Sequence, residues 1–104
     1  MSYIDWNPNF IKEIKTFLPE YEVTVTFVKK TGEKRVMQCT TDRSVIPEEQ
    51  HPGEPNPRIK VNTESQPVWD IEKAAWRSFR WDSVIEVRVP FTPESIIIKG
   101  PMSE

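Results

Sequence analysis

Between Trp69 and Trp81 the chain places three of its four tryptophans and two arginines, Trp69, Trp76, Arg77, Arg80 and Trp81. Guanidinium groups recognise phosphate and carboxylate, and indoles stack on bases or anchor protein interfaces. A second basic group surrounds Gly32: Lys29, Lys30, Lys34 and Arg35. Lysines at a turn reach a phosphate backbone easily, although a solvated turn beside Glu33 explains them as well. Period-two alternation puts Trp76, Ser78 and Arg80 on one face and Arg77 with Phe79 on the other. Phe79 is the natural core residue of that face. Arg77 must therefore reach the rim or find a carboxylate, Asp70 or Asp82, because an unpaired buried guanidinium is too costly. Asp82 has an alternative role, capping a break in the chain at Trp81-Asp82-Ser83. Three tryptophans exceed what a small core takes, so some either form a surface platform or receive a helix.

Other chemistry is sparse. Cys39 shares a strand with Met37 and Arg35, has no neighbouring base, and reads as a small buried filler. His51 lies between Glu48-Glu49 and Pro52 with nothing to orient it, and reads as solvent-exposed. One cysteine and one histidine make neither a disulfide nor a structural zinc site. No phosphate loop or nucleophile elbow is visible, so the expectation is a non-enzymatic protein without a cofactor. The net charge of −2 provides no global attraction to nucleic acid or membrane, and any such binding must come from a local patch.

These residues need elements to hold them. Asn7-Pro8 signals a helix start, and Phe10, Ile11, Ile14, Phe17 and Leu18 recur at helical spacing until Pro19, predicting an amphipathic helix over 7–18. From Tyr21 the period becomes two: Tyr21, Val23, Val25 and Phe27 alternate with Glu22, Thr24 and Thr26. Gly32 supplies a tight turn, and Lys34 to Thr41 returns. Residues 42–67 hold five of the ten prolines and predict a long loop, with at most a short strand at Arg58–Val61. Val68 to Val87 reads as strand, turn, strand, short break, strand. Residues 90–104 form an extension in which Ile96-Ile97-Ile98 either adds an edge strand or packs under the helix, with the tail from Gly100 frayed. At 104 residues this is one domain. The absence of a cysteine pair, of a signal-like N-terminus and of any ~20-residue apolar run points to a soluble protein of a reducing cytoplasm.

The stretch Trp76-Arg-Ser-Phe-Arg-Trp-Asp-Ser-Val-Ile85 resembles the closing motif of WYL domains. Arg77, Phe79, Arg80, Asp82 and Ile85 sit at the matching positions, Trp81 stands where leucine is usual, and Ser83 replaces a second arginine. The chain is still more similar to a family of small phage and bacterial WYL-like proteins. Its pieces here are Lys29-Lys-Thr-Gly-Glu-Lys-Arg35, Met37-Gln-Cys-Thr40, Trp69-Asp-Ile-Glu72 and Trp76 to Arg80, in order across roughly residues 21–89. The resemblance implies a mainly β, SH3/Sm-like barrel of about five strands, here with the N-terminal helix added. It also implies a phage origin, hence a host cytoplasm, and a surface for nucleic acids or nucleotide-like ligands. The expected function is a phage accessory protein that binds single-stranded nucleic acid or such a ligand through Trp69, Trp76, Arg77, Arg80, Trp81, Lys29, Lys30, Lys34 and Arg35. The alternative is a protein-interaction module that modulates a host or phage protein, with homo-oligomer formation through edge strands as a further option.

Overall fold

The computed structural model describes residues 2–51, 64–90 and 95–103. Its regular helix, α1 (Phe10–Phe17), starts later than the expected residue 7. A turn precedes it: the Asn7 side-chain oxygen accepts from the Asn9 amide at 2.9 Å, and the Phe10 amide donates to the Asn7 carbonyl at 3.0 Å. Asn7 therefore caps this leading turn rather than the helix proper. Phe10, Ile14 and Leu18 are buried in the core, whereas Ile11 remains 37% exposed. The helix end is tied down at Leu18, whose carbonyl accepts from the Thr40 hydroxyl and the Thr41 amide, both at 2.9 Å. This closes orphan carbonyl valence at a helix terminus and holds the helix against the sheet.

Strands β2 (Val23–Val28) and β3 (Lys34–Thr40) form the expected hairpin, in antiparallel register from Val23 opposite Cys39 to Val28 opposite Lys34. The turn closes with the Lys29 amide on the Glu33 carbonyl and the Gly32 amide on the Lys29 carbonyl, both 2.8 Å. Gly32 holds φ +90°, a region where a side chain would be strained. Val23, Val25 and Phe27 are buried as the alternation predicts.

β4 (Ser65–Asp70) and β5 (Ala75–Arg80) pair next, followed by a one-turn helix at Trp81–Ser83 and β6 (Val84–Val89). β4 begins inside the stretch expected to be loop and includes Pro67. Its ladder to β3 covers only Trp69 and Asp70, so Pro67 lies where β4 has no second neighbour among the described residues, an edge position that tolerates a missing amide donor. The strand expected at 58–61 lies outside the described residues.

β6 returns to pair with β2, with a register shift at Thr26/Phe27 that opposes Phe27 to Val84. The bulge lets Val84 and Val87, three apart, both point into the core. The order β6-β2-β3-β4-β5 is the five-strand SH3/Sm-like barrel expected from the sequence. Two strands extend it beyond β6: β7 (Ile96–Lys99) antiparallel on β6, and β1 (Ser2–Ile4) parallel on β7. The isoleucine run is thus an added strand, and its buried Ile98 shares one core cluster with Phe10, Ile14 and Leu18 of the helix.

The tail from Gly100, expected to fray, is docked. The Gly100 amide donates to the Ile85 carbonyl at 2.8 Å and the Met102 amide to the Val84 carbonyl at 2.9 Å. A Cβ at Gly100 would overlap the Val84 carbonyl, so the close approach needs glycine. No described helix is long and apolar enough to cross a membrane.

Candidate functional site

The arginines and tryptophans that stand together in sequence separate in space. Trp69 and Trp81 are each only 4% exposed, which corrects the expectation that they form an open stacking platform. Trp81 meets Phe79 and Phe10 edge-on, with ring centroids 5.1 and 5.9 Å apart, and so joins the barrel to α1. Its indole N–H is buried without a hydrogen-bond partner among the described residues. Trp69 packs edge-on against Trp76 at 5.8 Å. Trp76 is half-buried and donates from Nε1 to the Gln50 carbonyl at 2.7 Å. It lines a hollow with Thr41, Arg43, Ile46 and Pro67 that none of the candidate lysines and arginines lines. The physical reason is volume: bulky rings beside Phe79 satisfy the core, and burial of each large aromatic outweighs display.

The cations do the opposite. Lys29, Arg35 and Arg77 ring a pocket of about 160 Å³ floored by Phe27 and Met37. An adjoining hollow of about 270 Å³ shares Phe27, Lys29 and Ser78, and adds Lys30, Arg80 and Ser83. These two neighbouring hollows, between the Lys29–Glu33 turn and β5, form the basic groove, and five of the nine expected residues line one or the other of them. Lys34, exposed on β3, lines neither hollow.

Ion pairing inside the groove differs from the sequence expectation. Arg77 does not pair with Asp70 or Asp82 but lies exposed at the rim, with no ion-pair partner among the described residues. Asp70, 2% exposed, takes Arg35 at 3.4 Å and accepts the Lys73 amide at 3.0 Å. That second bond sets the turn into Ala74, a non-glycine residue at φ 51°. Asp82 accepts from Arg80 at 3.3 Å through both of its oxygens, and Glu64 stands 3.9 Å from the same guanidinium. The one-turn helix is closed by Ser83 instead of Asp82, its hydroxyl donating to the Arg80 carbonyl at 2.7 Å.

With Arg35 and Arg80 engaged, Lys29, Lys30 and Arg77 are the groove cations that have no ion-pair partner among the described residues. Exposed pairs such as Arg80–Asp82 are worth under about 1 kcal/mol, so Arg80 can turn to a phosphate at little cost. The arrangement suits a string of phosphates. Position, rather than sequence readout, is what such contacts provide.

The remaining candidates are structural. Cys39 is fully buried opposite Asp70 in the β3–β4 register; burial, with the Asp70 charge adding, pushes its thiol from 9.0 up to about 12. It is a filler, not a nucleophile. His51 is half-buried rather than free: its Nε2 lies 2.9 Å from the Arg43 carbonyl and 2.8 Å from the Ile46 carbonyl. Both partners are acceptors, so Nε2 carries the proton and pins this stretch of chain.

Comparison with known proteins agrees with this architecture. Residues 11–85 match the WYL_2 family, described as an Sm-like SH3 β-barrel fold; the match reaches into α1. An uncharacterized 11.5 kDa protein of Enterobacteria phage T4, from the Gp31-cd intergenic region, is 37% identical over 78 residues, covering 74% of this chain and 76% of that one. No solved structure matches.

Proposed function

The chain belongs to the WYL_2 family of Sm-like SH3 β-barrels, and on that premise we propose that it is a non-enzymatic phage accessory protein whose basic groove holds the phosphates of a single-stranded nucleic acid or nucleotide-like ligand. The observation that carries this reading is the convergence of Lys29, Lys30 and Arg77 with Arg35 and Arg80 on one groove of a chain whose net charge is −2. In a chain acidic overall, a local cationic patch of this kind is what an anionic ligand would need.

Three such cations on a single strand predict a log–log salt slope of about −2. Fluorescence anisotropy of a labelled oligonucleotide, titrated at several salt concentrations, measures it. Arg77→Ala should weaken binding and flatten that slope by about 0.7, one contact's share. Anisotropy that stays at the free-probe value at low salt would remove the reading.

A second reading, a module that docks on a host or phage protein, is favoured by the large apolar side chains left exposed near the N-terminus, Tyr3 at 63% and Trp6 at 51%. It expects a protein to co-purify with the wild type and not with Trp6→Ala, together with indifference to oligonucleotide.

A further inference from the structure

A third hollow, of about 350 Å³, lies where the turn before α1 meets the one-turn helix after β5. Its walls are apolar, with Trp6, Pro8, Phe10, Ile11, Trp81 and Pro101 around it, and its polar side chains include Arg80, Glu64 and Asp82. Arg80 also lines the basic groove, so one residue borders both the aromatic chamber and the cationic hollows.

We propose that this chamber seats one base of the strand whose phosphates run in the groove, and that it prefers bases bearing an exocyclic amino group. The proposal rests on the groove reading given above and names its missing half. The volume is in the range of small-molecule sites. Trp6, half exposed, is free to lie against a planar ring, whereas Trp81 is locked by its edge-on contacts with Phe10 and Phe79 and makes a rigid wall. Stacking on such aromatics accepts any base. The two carboxylates supply the discrimination. Glu64 and Asp82 repel phosphate, so the backbone passes on the Lys29–Lys30 side of Arg80. Facing the chamber, a carboxylate accepts from an amino group, as Asp and Glu do from cytosine N4. Thymine and uracil offer no such group. Arg80, held between its carboxylates at 3.3 and 3.9 Å, is then placed at the junction of base and phosphate.

The test compares equal-length oligo-dC, oligo-dT and abasic strands by anisotropy, with wild type, Trp6→Ala, Asp82→Asn and Arg77→Ala, each checked for the wild-type melting temperature. Because Trp6 is exposed, its replacement leaves the core untouched. The expected result is dC tighter than dT, dT tighter than abasic, and a loss on the order of tenfold for Trp6→Ala on oligo-dC but none on the abasic strand. Asp82→Asn should narrow the gap between dC and dT. If Arg77→Ala weakens all three strands while Trp6→Ala changes nothing and the abasic strand binds as well as oligo-dC, the chamber proposal is overturned and the groove stands. If no strand binds at low salt, both fall.

Discussion

The buried wall and the open rim of this barrel come from the same few residues, Trp76 to Ser83, yet they obey different rules. On the wall, Phe79 and Trp81 are sealed against Phe27 and Phe10, and shape decides what fits. On the rim, Arg77 and Arg80 touch water, and charge decides what approaches. The difference shows that a run of aromatic and basic residues is not in itself a surface. The sheet divides it, sending rings inward and guanidiniums outward, and the ligand reading survives only in the part left outside. Trp6, far away in sequence, is half exposed where Trp69 and Trp81 are buried, and it lines a hollow with Trp81.

The largest effect that would sharpen this contrast is expected at Trp81. Trp81→Ala should cost about 4 kcal/mol in urea unfolding, because it empties the junction of barrel and helix; a loss under about 1 kcal/mol would mean the wall bears no weight there. Next comes Gly100→Ala, where the added methyl meets the Val84 carbonyl, which is backbone and cannot turn aside. About 2 kcal/mol is expected for such overpacking, read as a lower urea midpoint. A smaller effect separates two arginines on one pocket. Arg35→Ala strands the buried Asp70 carboxylate and should cost about 2 kcal/mol at most. Arg77→Ala should stay within about 0.5 kcal/mol of wild type while oligonucleotide affinity falls. Equal stability losses at Arg35 and Arg77 would erase the distinction between structural and free cations.

Much of the barrel was legible because its signals are local. The alternation from Tyr21 to Phe27, the glycine at position 32, and the strand–turn–strand unit from Val68 each carry their own periodicity or turn chemistry. What escaped was short or dependent on partners. β1 has three residues and exists only because β7 offers an edge. Pro67 argued for loop, and only the limited reach of β3 makes a strand there acceptable. Asp70 and Asp82 were both compatible with Arg77; which guanidinium each received depended on where β3 and the one-turn helix brought Arg35 and Arg80. The chamber beside Trp6 had no sequence signal, since its lining comes from four separate parts of the chain.

The sequence by itself determined that this chain makes a small, twisted β-barrel with a helix laid against it, and that its cationic side chains gather at a turn and along one strand. Backbone periodicity and turn chemistry act over a few residues, so they can be read in one dimension. Only the tertiary structure decided which aromatic rings were consumed by the core and which cations kept their charge free. Those outcomes depend on competition for a limited interior and on distances between strands, and neither is written in residue spacing.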